Sequence, residues 1–109
     1  MQAASPDLVM RTLADPTRRA LYEHLARAGE AAVVELTRAS TVSQPAVSQH
    51  LKALRGAGLV AERREGRTVR YRVEPQGLAP LVDWIGVYGP FWRDRFTALK
   101  TVLKEIDPK

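Results

Sequence analysis

The spacing of apolar residues predicts two helices at the start of the chain. Residues 6–14 and 16–28 each place apolar side chains at intervals of three or four positions, as one face of an α-helix requires. Asp15 and the proline after it separate the two helices, because aspartate caps a helix N-terminus and proline suits the first helical position. Gly29 closes the second helix, and residues 30–32 are predicted as a short connection, with an extended conformation left open.

Residues 33–57 have the pattern of a helix-turn-helix. A short helix is predicted from residue 33 to residue 39 or 40, followed by a turn over residues 41–43. Ser43 then caps a second helix and Gly58 ends it, in the left-handed conformation that glycine adopts without strain. In such a motif the second helix enters the DNA major groove and the first crosses the backbone.

The second helix of this pair has a narrow apolar stripe and a polar outer side. Val47, Leu51 and Leu54 recur at i, i+4 and i+7 and form the stripe. The outer side has no acidic and no bulky apolar residue; it contains Pro45, Gln49, Lys52, Ala53 and Gly56, flanked by Ala46 and Ser48. A surface of this kind can approach a polyanion closely and offer amide and hydroxyl groups to base edges.

Alternation of apolar and polar residues predicts a two-stranded wing over residues 59–73. Its strands, residues 59–64 and 68–73, flank a short turn. Because a hairpin alone is marginally stable, the wing must pack on the helices. The residues expected to do so are Val60, Val69 and Tyr71.

The last third of the chain, residues 77–106, is predicted to be a long helix with an apolar seam. Gly89 and Pro90 interrupt it, and because proline disfavours a helix interior we expect a kink there, with two separate helices as the open alternative. The seam residues recur in steps of three and four: Leu81, Ile85, Tyr88, Trp92, Phe96, Leu99, Leu103 and Ile106.

One protomer of this size has little surface with which to cover so many large apolar side chains. A twofold dimer formed by the last helix with the first helix would cover them; the alternative is that the last helix packs on its own domain. The predicted dimer contacts are Leu8, Val9, Leu13, Trp84, Ile85, Tyr88, Trp92, Phe96, Leu99 and Leu103.

Together these elements predict one domain over residues 1–109, mainly α with a small two-stranded β wing, in the order α-α-α-α-β-β-α. The first helices occupy residues 6–28, and the helix-turn-helix, the wing and the dimerisation helix follow. Contents of 45% apolar and 27% charged residues are ordinary for a globular protein. The start of the chain lacks the pattern of a signal peptide and no stretch is apolar enough for a membrane span, so we expect a cytoplasmic protein.

The net charge of +5 is concentrated in one segment. Residues 44–72 contain seven basic and two acidic residues, while the rest of the chain is balanced. An excess gathered in a helix and the hairpin after it indicates contact with nucleic acid rather than an ordinary solvated face. The expected contacts with the DNA backbone are Arg38, Lys52, Arg55, Arg63, Arg64, Arg67, Arg70 and Arg72, with Arg67 at the wing tip near a minor groove.

The candidates for reading base edges lie on the second helix of the helix-turn-helix. Gln44, Ser48 and Gln49 are the best of them, because glutamine can bond adenine bidentately and serine suits several bases. Ser43 is first a cap and only secondarily a phosphate contact, and His50 is predicted to pack or to bond a phosphate. The predicted set is completed by two small residues, Pro45 and Ala46.

The order and spacing of these pieces resemble the ArsR/SmtB-type winged-helix repressors. The resemblance extends from about Leu8 to Ile106. It rests on Asp15-Pro16-Thr17-Arg18-Arg19, Ser43-Gln44-Pro45 with Ser48, His50-Leu51, Gly58-Leu59-Val60, and the hairpin Arg64-Glu65-Gly66-Arg67 with Tyr71. It implies a homodimer, joined by the first and last helices, that binds an inverted repeat near its own promoter and represses it.

Many members of that family release DNA when they bind a metal, and here the chain departs from the pattern. The positions that match the family's thiolate site are Ala32 and Val34, which cannot bind a metal. The last helix has no histidine to join Asp83 and Asp94 in a second type of site. We therefore expect no metal and no cofactor, and leave a small-molecule inducer near the aromatic residues of the last helix as a hypothesis.

Two other classes of function are weaker alternatives. A winged-helix module that binds proteins would use the same fold, but it would not need all the excess charge on one side. An enzyme is poorly supported, because the chain has no cysteine, no credible partner for either histidine and no glycine-rich phosphate loop.

Overall fold

The computed structural model describes residues 5–106, which form five helices and three strands. The helices are Pro6–Ala14 (α1), Pro16–Ala28 (α2), Val33–Arg38 (α3), Gln44–Gly56 (α4) and Ala79–Ile106 (α5). The strands are Glu30–Ala32 (β1), Val60–Glu65 (β2) and Thr68–Val73 (β3). The prediction that the chain has no signal peptide rests largely on residues 1–4, which lie outside the described residues, as do residues 107–109.

Short polar side chains begin the first two helices. The hydroxyl of Ser5 accepts a hydrogen bond from the backbone N–H of Leu8 at 3.2 Å. The carboxylate of Asp15 accepts one from the backbone N–H of Arg18 at 3.0 Å, so the predicted cap of α2 is confirmed. Each bond satisfies an amide that the first turn of a helix leaves unpaired.

The sheet has three antiparallel strands, and the prediction of a two-stranded wing was therefore incomplete. The strand order is β1-β3-β2, with Ala31 opposite Tyr71 and Arg63 opposite Arg70. Three residues are too few to show an alternating pattern, which is why the sequence indicates only a connection at β1. Because β1 leads directly into α3, the wing is joined to the helix-turn-helix through backbone hydrogen bonds.

The core lies between α1–α4 and one face of the sheet. Tyr71 and Val73 pack against the core from the sheet. Val69 was also predicted to do so, but it is half-buried and is not among the residues that pack against the core. The buried cluster consists of Val9, Leu21, Leu25, Ala31, Leu36, Val47, Leu51, Leu54, Ala57, Leu59 and Val60.

Helix α5 is continuous from Ala79 to Ile106 and includes Gly89 and Pro90. The predicted continuation of the helix is therefore confirmed and the alternative of two helices is wrong, while the kink expected at Gly89 and Pro90 stays a prediction. It packs against α1, and none of its residues is buried within the protomer. None of the helices within residues 5–106 combines the length and apolarity needed to cross a bilayer.

The first helix differs from the prediction at one dimer contact. Val9 is 0% exposed, because it is enclosed by its own protomer. Leu8 and Leu13 are half-buried and retain some free surface. Val9 therefore belongs to the core, and its predicted contact with a partner was wrong.

Candidate nucleic-acid interface

Helix α4 is fixed by its cap, its buried stripe and the turn that follows it. The hydroxyl of Ser43 accepts a hydrogen bond from the backbone N–H of Ala46 at 3.4 Å. At the other end, Gly58 has a φ of 76°, and its N–H donates to the carbonyl of Arg55 at 3.0 Å. The predicted stripe is fully buried: Val47, Leu51 and Leu54. These contacts leave α4 with one orientation and a defined outer side.

The outer side of α4 is exposed and free of acidic residues. Ala46 and Ala53 are half-buried, so the exposed surface is narrower than the sequence predicts. The exposed residues are Gln44, Pro45, Ser48, Gln49, Lys52, Arg55 and Gly56. The three base-reading candidates are thus brought together on one surface.

His50 lies at the edge of this surface rather than on it. It is half-buried, and its Nδ1 is enclosed without a hydrogen-bond partner in the described residues. The pKa of the Asp15 carboxyl is lowered, mainly by the hydrogen bond from the backbone N–H of Arg18, and the nearby His50 is a lesser cause. His50 therefore faces the start of α2, and packing accounts for it better than contact with a base.

The turn between α3 and α4 is closed by a side chain and anchored by an apolar residue. The hydroxyl of Ser40 accepts a hydrogen bond from the backbone N–H of Val42 at 3.2 Å. Val42 is half-buried and packs against the core. Arg38, in the last turn of α3, is exposed.

The basic residues of the wing point to two different sides of the sheet. Cross-strand pairing puts Arg63 and Arg70 on one face, together with Glu30 and Ala32. Arg64 lies on the opposite face, because successive residues of a strand alternate. The wing is therefore not a uniformly basic surface, as the sequence alone suggests.

Two wing arginines are held by carboxylates from outside the basic segment. Arg63 donates to Glu30 from Nη2 at 2.6 Å and from Nε at 3.1 Å. Arg70 donates from Nε to Glu30 at 3.1 Å and from Nη2 to Glu35 at 3.3 Å. Arg63, followed by Arg70, holds the pKa of the Glu30 carboxyl below its usual range. In turn, Glu30 raises the pKa of Arg63.

A third ion pair joins α4 to the wing. The guanidinium of Arg55 lies 3.1 Å from the carboxylate of Glu62, which also accepts a hydrogen bond from the hydroxyl of Tyr71 at 3.3 Å. Burial, followed by the negative charge of Glu62, raises the pKa of Tyr71. Arg55 is 57% exposed, so this pair is solvated and can exchange for another anion at little cost.

Ion pairs within the protomer therefore reduce the number of basic side chains that are free to contact DNA. Within residues 5–106, five of the predicted backbone contacts form no ion pair: Arg38, Lys52, Arg64, Arg67 and Arg72. The sequence did not indicate the roles of Glu30 and Glu35, since they are 33 to 40 residues away from their partners. No local pattern could have linked them.

The described residues contain no recognisable metal centre. Nowhere in residues 5–106 do three or more His, Cys, Asp or Glu side chains gather so that they could hold a metal ion. At the positions that match the thiolate site, Ala32 is buried and Val34 is 48% exposed, and neither side chain has a donor atom.

The outer side of α5 forms a long aromatic groove of about 580 Å³. Trp84 and Tyr88 have ring centroids 5.0 Å apart, and Trp92 and Phe96 stack at 6.0 Å. Each of these four side chains is about half exposed. The arrangement leaves a broad apolar surface that the protomer does not cover.

A short helix, a turn over residues 39–43 and an N-capped, exposed second helix, followed by an antiparallel wing, define a winged helix-turn-helix protein. A family model described as a helix-turn-helix domain matches residues 13–63. The HTH-type transcriptional regulator Rv2034 of Mycobacterium tuberculosis is 53% identical over 77 residues, which are 71% of each chain. Other matched relatives have the word repressor in their names.

Two solved structures agree with this fold. An ArsR-like transcriptional regulator from Rhodococcus sp. RHA1 is 30% identical, with a TM-score of 0.70 over 89% of this chain and 91% of that one. A homodimeric winged helix-turn-helix DNA-binding domain, Mb0332 from Mycobacterium bovis, is 32% identical, with a TM-score of 0.62 over 77% of each chain. The chain belongs to the ArsR/SmtB family of winged helix-turn-helix transcriptional regulators.

Proposed function

We propose that this chain is a transcriptional repressor that binds an inverted-repeat operator in double-stranded DNA as a homodimer. The observation that supports this best is the outer side of α4, which is exposed, free of acidic residues and backed by three fully buried side chains. A rigid helix with glutamine and serine on its free side suits the major groove. The repressors among the matched relatives support the direction of regulation.

In the proposed complex each protomer reads one half-site. Gln44, Ser48 and Gln49 contact base edges, and Lys52 neutralises phosphate beside them. Arg67 projects from the exposed wing tip toward the backbone or a minor groove. Since the two recognition helices of such dimers lie about one DNA turn apart, roughly 34 Å, the half-sites should have that spacing.

The dimer in this proposal forms through α5 and α1. The apolar side of α5 is uncovered in the protomer, and a twofold axis would bring it against its own copy. The homodimeric relative supports self-association. The chain would act in the cytoplasm by binding alone, with no catalytic step.

The site proposed for a small-molecule inducer is the aromatic groove of α5. That groove is also the surface that the proposed dimer covers. An apolar ligand could therefore reach it only within the dimer interface, where it would alter the distance between the two recognition helices. Tryptophan emission that stays unchanged across a panel of apolar metabolites would count against this part of the proposal.

The decisive experiment is fluorescence anisotropy with the DNA upstream of the protein's own gene. A scrambled fragment of equal length is the control, and both are titrated at several salt concentrations, with and without a chelator. We expect tight binding to the upstream fragment that weakens steeply with salt and ignores the chelator. Absence of binding to either fragment at low salt would instead favour a winged-helix module that binds proteins.

A further inference from the structure

Four charged side chains join the wing to the start of the helix-turn-helix. Glu30 accepts two hydrogen bonds from Arg63, one at each carboxylate oxygen, of 2.6 and 3.1 Å, and uses the same carboxylate to bind Arg70 at 3.1 Å. Glu35 binds Arg70 at 3.3 Å and also accepts a hydrogen bond from the backbone N–H of Ala32 at 2.9 Å. We call Glu30, Glu35, Arg63 and Arg70 the wing-root cluster.

The wing-root cluster resolves a repulsion built into the hairpin. Arg63 and Arg70 are direct partners across β2 and β3, and like charges in that position destabilise a pair of strands. Glu30, on the neighbouring strand β1, places one carboxylate between both guanidinium groups. A residue outside the hairpin therefore offsets the repulsion between two residues within it.

The cluster also fixes the wing relative to the helices. Glu35 lies in the first turn of α3, where its carboxylate caps the helix by bonding the N–H of Ala32. Because the same oxygen binds Arg70, a movement of the wing away from α3 breaks a contact at the helix start. Arg70 is the most enclosed of these arginines, with 27% of its side chain exposed.

We propose that Glu30 and Glu35 are positioning residues for DNA binding. They hold Arg63 and Arg70 in place, so that the wing and the recognition helix reach the same DNA together. In consequence Arg63 and Arg70 do not contact phosphate, whereas Arg64, which is exposed on the opposite face of the sheet and forms no ion pair within residues 5–106, does. This inference rests on the proposed function and divides the wing arginines into two roles.

The first test compares Arg63→Gln with Arg64→Gln, two neighbours on β2 that differ in face and lose the same charge. Operator affinity is measured against salt concentration. We expect Arg64→Gln to lower the slope of the logarithmic plot by about one. Arg63→Gln should leave the slope unchanged while weakening operator binding on the order of tenfold, as loss of a charge-assisted hydrogen bond would. A slope lowered equally by both substitutions would overturn the proposal.

The second test uses Glu30→Gln, with Glu65→Gln as control. Glu65 is also an acidic residue of the wing, but within residues 5–106 its side chain forms an ion pair with Arg63 alone, at 3.5 Å. Removal of a negative charge should by itself strengthen binding to any DNA. We expect Glu30→Gln to weaken operator binding while scrambled DNA binds as before or better. Stronger operator binding by both variants would show that Glu30 only masks charge.

A third measurement needs no DNA and so separates this proposal from the proposed function. Amide hydrogen exchange in the free protein should become faster in β2 and β3 for Glu30→Gln, but not for Glu65→Gln, while α2 stays protected in both. If wild-type protein binds no DNA, the proposed function fails and the exchange result still tests the cluster. Unchanged exchange in Glu30→Gln would overturn the positioning role.

Discussion

Gln49 lies in the middle of the exposed side of α4 and, within residues 5–106, its side chain makes no hydrogen bond. A free amide on a rigid helix can form two hydrogen bonds with an adenine edge. We expect Gln49→Ala to weaken operator binding by about 1–3 kcal/mol and to leave binding to scrambled DNA nearly intact. Anisotropy titrations measure both. Gln76→Ala, on an exposed loop after the wing, is the control, and equal losses on both DNAs would refute a base-reading role.

Gly77 occupies a position where no side chain fits. A Cβ there would lie 2.5 Å from the carbonyl oxygen of Gly58 and 2.9 Å from the Cα of Leu59, and backbone atoms cannot rotate aside. We expect Gly77→Ala to lower the free energy of unfolding by about 1–3 kcal/mol. Gly56→Ala is the control, because its Cβ would meet open space and alanine favours a helix. Urea denaturation that ranks the two variants equally would contradict this account of the turn.

At the scale of elements, the helices agree with the sequence because each has its own local signals. Caps, a proline in the first turn and an apolar stripe all lie within one segment, so α1, α2 and α4 begin and end close to their predicted positions. β1 has no such signals, since three residues show no alternation. Its strand character arises from pairing with β3, which lies 40 residues further along the chain.

The proline inside α5 leads to a prediction about that helix. Pro90 has no N–H to donate to the carbonyl of Gly86, and its ring crowds the preceding turn. If α5 needs no bend, Pro90→Ala should stabilise the protein by up to about 3 kcal/mol, seen as a higher melting temperature by circular dichroism. Gly89→Ala is the control, since its Cβ would make an ordinary 3.7 Å contact with Ile85. A Pro90→Ala variant that melts lower than wild type would show that the packing requires a bend.

At the scale of the whole molecule, the exposed apolar side of α5 leads to a prediction about assembly. Leu99 is 51% exposed on the apolar seam, whereas Thr101 lies on the other side of α5. We expect Leu99→Asp to raise the dimer dissociation constant by at least about a hundredfold, because a charge would be buried at the interface. Sedimentation velocity measures the change. Thr101→Asp should remain dimeric, and a dimeric Leu99→Asp variant would place the interface elsewhere.

The carboxylates of Glu30 and Asp15 also make stability depend on pH. Their usual pKa values are 4.5 and 3.8, and the fold lowers both, through Arg63 for Glu30 and through the backbone N–H of Arg18 for Asp15. The unfolded chain therefore binds more protons in acid. The resulting stabilisation is complete above the usual values and is lost as the pH falls through the lowered ones.

We expect the free energy of unfolding to decline as the pH is lowered below about 4.5. Urea denaturation at a series of pH values measures the decline. Glu30→Gln should make it shallower, since glutamine does not titrate. An unchanged acid slope in that variant would show that other carboxylates dominate.

The sequence by itself determined the helices, the exposed side of α4 and the class of protein. Ser43, Pro45, the Val47-Leu51-Leu54 stripe and Gly58 are local signals, and the physical rules that link them to structure act within one or two helical turns. The same local rules placed the glutamines and serines on the free side of α4. The structure left these assignments intact.

Only the tertiary structure decided which charges are free and which apolar residues are covered. Glu30 and Glu35 reach Arg63 and Arg70 because the sheet brings distant segments together, and no periodicity encodes such contacts. Val9 belongs to the same apolar pattern of α1 as Leu8 and Leu13, which are half-buried, yet its own protomer encloses Val9 completely. Local patterns determine where a side chain points along its element, and long-range packing determines what it meets there.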